Sequence, residues 1–226
     1  MNNAFSKRVN APNDFSTNAV IEFKTKMANI KCMMMEKNYQ IINSNTTIKE
    51  QITAADEDMI GSFLNANKEN KDFLTIIEKV RLIDYINSTN LRMHGSEIYS
   101  DTANIILGIT DFDDRVKKED PKLVSDVAKE IKRVTDVNLF SFVTKYCCYH
   151  NHRIYGRDDY SIFDTAMKKA ISKYINVTQT YIDRECREKM DYELYHSIVG
   201  NMIKEYGITT ETPRRDTDYY LWSIYR

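Results

Sequence analysis

Glycine and proline are rare in this chain, and their scarcity favours helices over a fold of tightly turned strands. Only 6 glycines and 3 prolines occur among 226 residues, whereas strand-rich folds need such residues at many turns. Most segments instead repeat apolar residues every three or four positions, which is the pattern of helices with one buried face. The sequence therefore predicts an all-α protein of about nine helices, packed as two helical lobes around a central cleft.

Individual helices can be placed from this spacing. One is predicted to run from about Phe73 to Asn87 and to be followed by a long irregular connection over residues 88–100. Another has Pro121 in its first turn, where the missing N–H costs nothing, and buries Val134 on its apolar face. Further helices are predicted over residues 16–38, 48–65, 101–108 and 139–149, and around residues 167–174, 192–206 and 219–225.

The composition indicates a soluble, cytoplasmic protein without a bound cofactor. We expect a flexible N-terminus over residues 1–14 and a single helical domain over residues 15–226, whose two lobes would meet near residues 138–171. No run reaches the roughly 18 apolar residues of a membrane span, and no apolar segment follows a basic start as in a signal peptide. The four cysteines include no CxxC pair, so they indicate reduced thiols and not a disulfide frame, a zinc site or an iron–sulfur cluster.

The strongest candidate for chemistry lies in residues 138–171. Lys145 is part of a short, strongly apolar helix, and Asp164 opens the next helix after an extended run over residues 160–163. Burial of a lysine lowers its pKa and makes the amine nucleophilic, whereas an aspartate at a helix start is held ionised by backbone N–H groups. An amine and a carboxylate facing one cleft suit attack on a cationic sugar carbon. A lysine that reaches solvent from a buried helix and a simple helix-capping aspartate are the competing interpretations.

At these residues the chain resembles the helix–hairpin–helix DNA glycosylases, the superfamily of the 8-oxoguanine and adenine glycosylases. Lyase-competent members carry a lysine on one helix and, roughly twenty residues later, an essential aspartate at the next helix start; here Lys145 and Asp164 are 19 positions apart. The resemblance implies that Lys145 attacks C1′ and that Asp164 stabilises the cationic sugar. It covers about 35 residues, and the glycine-rich hairpin of the family is replaced here by residues 137–141, which contain no glycine.

A polar, aromatic turn follows the Lys145 helix and supplies the candidate base pocket. Tyr146, His150, Asn151 and Tyr160 are predicted to line this pocket, where aromatic rings could stack on an extruded base. For any one of these aromatic side chains, ordinary core and rim packing is the favoured explanation. The two histidines of the turn lie two positions apart and share no helical face, so the sequence predicts no metal site there.

Charges of opposite sign are nearly balanced, so DNA binding would need a local basic patch. Lysine and arginine total 32 and aspartate and glutamate total 33, which leaves no net field to attract a polyanion. Arg153 and Arg157 lie before Asp164, and Lys168 and Lys169 follow it. These four side chains could contact DNA phosphates, although a solvated helix face explains them as well.

Two functional hypotheses follow from these observations. The first is a DNA N-glycosylase, with or without abasic-site lyase activity, that acts on a modified or damaged base. The second is a non-enzymatic helical protein that binds nucleic acid or protein and keeps the scaffold with a silent site. The spacing of Lys145 and Asp164 favours the enzyme, whereas the missing glycine hairpin and the balanced charge favour the binding protein.

Overall fold

The computed structural model describes residues 61–225, including the side chains of all of these except residues 223 and 224. The predictions for residues 1–60, among them the flexible N-terminus and the first helix, lie outside this part of the chain. Within the described range the protein is all-α and contains no strand, as predicted. None of the described helices has the length and apolar character that crossing a lipid bilayer requires.

The described part begins with helical residues 61–66, and nine further α-helices follow. A short 3₁₀ turn, Leu91–His94, precedes the second of these helices. Two helices continue directly into π-helical turns, at His150–Ile154 and Asp183–Glu188. In chain order the helices are α1 Phe73–Asn87, α2 Glu97–Gly108, α3 Phe112–Lys117, α4 Lys122–Thr135, α5 Phe140–Tyr149, α6 Thr165–Tyr174, α7 Gln179–Ile182, α8 Tyr192–Glu205 and α9 Pro213–Tyr225.

Helix α1 agrees with the prediction because local signals mark both of its ends. The Asp72 side chain accepts a hydrogen bond from the backbone N–H of Thr75 at 2.8 Å and caps the first turn. At the other end Ser88 adopts a left-handed conformation with φ 49°, which is a common way to terminate a helix. Between these ends the predicted apolar face, including Ile76 and Val80, is buried.

The prediction that residues 88–100 form an irregular connection is wrong for residues 97–100, which are helical. The connection contains the 3₁₀ turn, and α2 begins at Glu97, four residues earlier than expected. The buried carboxylate of Asp84 organises this region, since it accepts hydrogen bonds from the Tyr99 hydroxyl at 2.6 Å and from the backbone N–H of Leu91 at 3.1 Å. Such a tertiary network leaves no trace in hydrophobic spacing.

Helix α4 also departs from the prediction at one position. The prediction that Val134 is buried is wrong, because this side chain is 49% exposed. Val134 lies in the last turn of α4, where it lines an open surface groove together with Ile105 and Ile109. The short helices α3 and α7 are not predicted by the spacing either, since six and four residues are too few to display a helical period.

Helix α5 is the central helix of the described fold, as its apolar sequence predicts. It contacts α1 and α4, and its side chains are buried nearly all round, including Phe140, Phe142 and Val143. The buried hydrophobic residues form one connected cluster that extends from Ile76 to Leu221. The division into two lobes with a cleft between them stays a prediction.

An extended segment, residues 156–164, passes through this core between α5 and α6; we call it the strap. Its residues 158–163 make no backbone–backbone hydrogen bonds within the described part of the chain, although Tyr160, Ser161 and Phe163 are buried. Buried backbone N–H and C=O groups must be hydrogen-bonded. Two tyrosines of α8 supply hydrogen bonds to this backbone. The Tyr192 hydroxyl accepts from Ser161 N at 2.7 Å and donates to Ser161 O at 2.9 Å. The Tyr195 hydroxyl donates to Ile162 O at 2.7 Å.

Side chains of α5 and α9 hold the next backbone groups of the strap, at Ile162 and Phe163. The Asp218 carboxylate of α9 accepts from Ile162 N at 3.0 Å. From α5, Thr144 Oγ1 accepts from Phe163 N at 3.0 Å, and Ser141 Oγ donates to Phe163 O at 2.7 Å. Five side chains from three helices therefore fix the backbone that leads into α6.

Replacing Tyr192 with phenylalanine should destabilise the protein markedly. The change leaves both the N–H and the C=O of Ser161 buried without a partner, and we expect a loss of about 2–3 kcal/mol in the free energy of unfolding. Urea denaturation followed by circular dichroism would measure it. Tyr206→Phe is the matched control, because the Tyr206 hydroxyl makes its 3.0 Å bond to Tyr174 O away from the strap; equal losses in the two variants would contradict this role of Tyr192.

Candidate functional site

Lys145 lies in the second turn of α5 with its amine in the protein interior. The residue is 7% exposed, and its Nζ donates a hydrogen bond to Ser141 Oγ, one turn earlier, at 2.8 Å. Burial lowers the pKa of the Lys145 amine below its ordinary value, and the charge of Asp164 opposes part of that shift. The amine therefore has the desolvated character that the sequence predicts.

Asp164 begins α6 as predicted. Its backbone is extended, and its Oδ1 accepts a hydrogen bond from the backbone N–H of Met167 at 2.7 Å. Phe163 before it and Met167 after it both enter the core. Asp164 is half-buried, so its carboxylate is a helix cap that also reaches the surface.

One hydroxyl connects the amine to the segment that carries the aspartate. Ser141 Oγ accepts a hydrogen bond from the Lys145 amine and donates one to the carbonyl of Phe163. Phe163 immediately precedes Asp164. Ser141 and Asp164 are both half-buried, so the amine lies just beneath the molecular surface on this side of α5. The fold thus brings the two residues predicted to be catalytic into one neighbourhood.

The four residues predicted to line a base pocket are core residues in this structure. Tyr146, His150, Asn151 and Tyr160 are all buried. Their polar atoms have protein partners: the Tyr160 hydroxyl donates to Asp120 O at 3.0 Å, and Asn151 Nδ2 donates to an Asp159 carboxylate oxygen at 2.7 Å. A role for these residues in substrate binding stays a prediction and would require the turn to open.

Tyr146 and His150 instead belong to a buried polar cluster around Lys79, which the sequence analysis does not identify. Lys79 is fully buried in α1, and its Nζ lies 3.1 Å from Glu69 O, 3.3 Å from Asn70 Oδ1 and 3.3 Å from His150 Nε2. Burial lowers the pKa of Lys79 to about 8. A signal for it exists, because Lys79 occupies the i+3 position of the buried stripe that starts at Ile76.

The hydrogen bonds of this cluster determine the tautomer of His150. Burial lowers the pKa of His150 well below its usual range, so the ring is neutral and carries one N–H. Its Nε2 faces the Lys79 amine, which can only donate when charged, and its Nδ1 lies 3.0 Å from Tyr146 O. We therefore assign the proton to Nδ1, which donates to that carbonyl, while Nε2 accepts from Lys79.

Two further carboxyl groups are part of the strap or bind it. Asp158 accepts hydrogen bonds from the backbone N–H groups of Arg214 and Arg215 at 2.7 and 2.9 Å and so caps α9, and burial raises its pKa to about 6. Burial also raises the pKa of Asp218 well above its usual range, and the neighbouring charge of Asp164 adds to this. Asp218 Oδ2 binds the strap, whereas its buried Oδ1 has no hydrogen-bond partner among the described residues.

The basic residues predicted to bind DNA differ in how they are engaged. Arg157 forms ion pairs with Asp159 and Glu119, and Lys168 pairs with Asp183 at 2.9 Å. Lys169 is exposed and Arg153 is half-buried. Contact of these four residues with DNA stays a prediction, and two of them would first have to exchange a carboxylate for a phosphate.

No group of three or more histidine, cysteine, aspartate or glutamate side chains that could hold a metal ion occurs in the described part of the chain. Cys147 and Cys186 are buried free thiols and Cys148 is half-buried. Burial raises the pKa of each of these thiols, which makes them poor nucleophiles. Lys145 is therefore a better candidate for nucleophilic chemistry than any of the described cysteines.

Replacing Lys79 with methionine should remove a rise of stability with pH. An unfolded lysine keeps its proton up to a pH of about 10.5, whereas folded Lys79 releases it near pH 8. Between these values the unfolded state binds more protons at Lys79, so the contribution of this residue to stability increases with pH, by on the order of 1 kcal/mol per pH unit at most. The buried thiols lower the stability of wild type and variant alike as the pH rises, so the difference between the two slopes isolates Lys79. Urea denaturation between pH 7.5 and 9.5 would measure the slope for wild type and Lys79→Met.

Lys129→Met is the control for that experiment, because Lys129 is exposed on α4. This variant should keep the wild-type slope. A slope in Lys79→Met as steep as that of the wild type would show that the buried amine is not the titrating group.

Comparison with known proteins places this chain in a family. The family model HI_0787_N, described as an N-terminal domain, matches residues 34–154, which include Lys145 and end before Asp164. An uncharacterized protein of Haemophilus influenzae is 25% identical over 152 residues, which cover 66% of this chain and 68% of that protein. No solved structure matches the chain. Since the family model covers more than half of the sequence, the chain belongs to the HI_0787_N family.

Proposed function

We propose that this protein is a DNA N-glycosylase that acts on a modified or damaged base, with abasic-site lyase activity supplied by Lys145. The observation that supports the proposal most is that a buried amine, Lys145, lies near enough to a helix-capping carboxylate, Asp164, for the charge of Asp164 to oppose the lowering of the amine's pKa. The two groups stand in the order and at the spacing found in the helix–hairpin–helix glycosylases. A single hydroxyl, that of Ser141, connects the amine to the residue before the aspartate.

Lys145 acts as the nucleophile. Its lowered pKa leaves a larger fraction of neutral amine than an exposed lysine would have. The nitrogen forms a bond to C1′ while the glycosidic bond breaks, and the electron pair of that bond leaves with the base, which takes up a proton released by the amine. The C1′–O4′ bond then breaks, O4′ takes up a proton, and the nitrogen lone pair completes the C=N bond of a protonated imine.

Asp164 provides electrostatic stabilisation. Positive charge develops on the sugar as the base leaves, and a carboxylate fixed at a helix start is oriented before the reaction begins. The Met167 N–H holds one carboxylate oxygen. The other oxygen accepts no hydrogen bond from the residues that the structure describes, and in this proposal it faces the sugar.

The alternative, a non-enzymatic helical protein that binds nucleic acid or protein, is favoured by other observations. The turn before α5 offers no glycine for close approach of a phosphate, and it begins with Asp136 in a left-handed conformation at φ 58°, whose negative charge would repel phosphate. Arg157 and Lys168 already have carboxylate partners. In this alternative Lys145 is a structural residue whose amine is satisfied by Ser141.

Borohydride trapping on abasic-site DNA would test the enzymatic proposal. Wild type should form a covalent adduct, because borohydride reduces the imine to a stable amine, and Lys145→Gln should form none. Asp164→Asn should lower both trapping and base release by at least about 100-fold. Trapping by the wild type should increase with pH, with a midpoint below the ordinary lysine value, because neutral amine is the reacting form.

The exposed lysine of α4 supplies the matched control, and Lys129→Gln should trap as well as the wild type. Equal trapping by wild type and Lys145→Gln would show that another amine is responsible. No binding, base release or trapping across a broad panel of damaged and modified DNA would instead support the non-enzymatic alternative.

A further inference from the structure

Two hydroxyl groups of α5 hold the backbone of the same strap residue, Phe163, but only one of them also contacts the amine. Thr144 Oγ1 accepts from Phe163 N at 3.0 Å and donates to Ser141 O at 2.8 Å. Ser141 Oγ donates to Phe163 O at 2.7 Å and accepts from Lys145 Nζ at 2.8 Å. Ser141 therefore has a contact that its neighbour lacks, although both serve the same backbone.

The direction of each hydrogen bond at Ser141 follows from simple chemistry. A hydroxyl carries one proton, and the carbonyl of Phe163 can only accept, so the proton of Ser141 points at that carbonyl. Ser141 Oγ can then only accept from Lys145. The neutral amine must direct one N–H at Ser141, and its lone pair consequently points elsewhere.

Ser141 cannot serve as a general base for Lys145. A proton taken from the amine would have to move on to the carbonyl oxygen of Phe163, and an amide carbonyl is far too weak a base to hold it near neutral pH. The hydroxyl can orient the amine but cannot deprotonate it. This limits Ser141 to a positioning role.

We propose that Ser141 is the positioning residue of the site: its hydroxyl, locked as an acceptor by the Phe163 carbonyl, fixes the Lys145 amine relative to Asp164. This inference rests on the proposed function, because it assigns Ser141 a part in orienting the amine for attack. Orientation of a nucleophile is a large component of enzymatic rate. The anchoring carbonyl belongs to the residue that immediately precedes Asp164, so one hydroxyl holds both the amine and the backbone next to the aspartate. The Asp164 carboxylate is itself held by the Met167 N–H.

Ser141→Ala should change the amine itself. The charged form of Lys145 loses its hydrogen-bond acceptor, so we expect the pKa of the amine to fall further, by about one unit. Trapping on abasic-site DNA should then reach its midpoint at a lower pH, while its plateau rate falls by about tenfold because the amine is no longer oriented. A purely structural residue would lower the plateau without moving the midpoint.

Thr144→Val is the matched control. It removes the other hydroxyl that holds Phe163, with little change in side-chain shape, and it makes no contact with the amine. It should lower stability, because Phe163 N–H is left buried without a partner, but the midpoint of trapping should stay at the wild-type pH. Ser141→Thr keeps the hydroxyl and should retain the wild-type midpoint. If Ser141→Ala does not fold, Ser141→Cys takes its place, and its midpoint is compared with that of Ser141→Thr.

A second measurement separates this inference from the proposed enzymatic activity. Reductive methylation with ¹³C-formaldehyde labels Lys145, and Lys145→Gln identifies its NMR signal. The pH dependence of this labelling, followed by NMR, reports the pKa of the amine without any DNA. A lower midpoint pH for the Lys145 amine in Ser141→Ala, but not in Thr144→Val, supports the coupling of Ser141 to the amine. This holds even if no variant traps DNA, an outcome in which the glycosylase proposal alone fails. No shift in Ser141→Ala, or equal shifts in both variants, would overturn the positioning role.

Discussion

The burial of an extended backbone in a helical core is the constraint on which the rest of the structure depends. Helices satisfy their own N–H and C=O groups, but the strap over residues 156–164 cannot, and its residues 160, 161 and 163 are buried in the core. Unpaired buried backbone groups are expensive. Side chains of α5, α8 and α9 that face the strap therefore supply polar groups, among them those of Ser141, Thr144, Tyr192 and Tyr195.

Sequence patterns predict the helices of this protein well where a single face is apolar over several turns. Helices α1 and α5 follow from their spacing, and the start of α6 follows from Asp164, because helix capping is a local interaction between neighbouring residues. The start of α2 could not be predicted, because it depends on hydrogen bonds to Asp84 from residues as far along the chain as Tyr99. Local signals were sufficient only where the determining interaction is itself local.

In the candidate site, too, the features set by neighbouring residues can be predicted from the sequence, whereas those set by distant residues cannot. The order of Lys145 and Asp164 is readable from the sequence, but the hydroxyl that joins them is evident only once the strap lies against α5. Lys79 is the opposite case: its position in the apolar stripe of α1 was a visible irregularity, whereas its partners come from residue 70 and from the turn after α5. The sequence predicts a base pocket at aromatic residues near Lys145 that are buried in the core. A sequence alone does not distinguish a tyrosine that lines a pocket from one that packs in the core.

The way the strap is held has a consequence for how the site forms during folding. Ser161 depends on Tyr192, 31 residues later, and Ile162 depends on Asp218, 56 residues later. Loops of that length close late relative to local helix formation, so α5 can form well before Asp164 acquires its place. The Ser141–Phe163 bond spans only 22 residues, but the buried strap that carries Asp164 obtains all of its partners only when α8 and α9 dock, so a segment that ends before α9 does not hold the site in its final form.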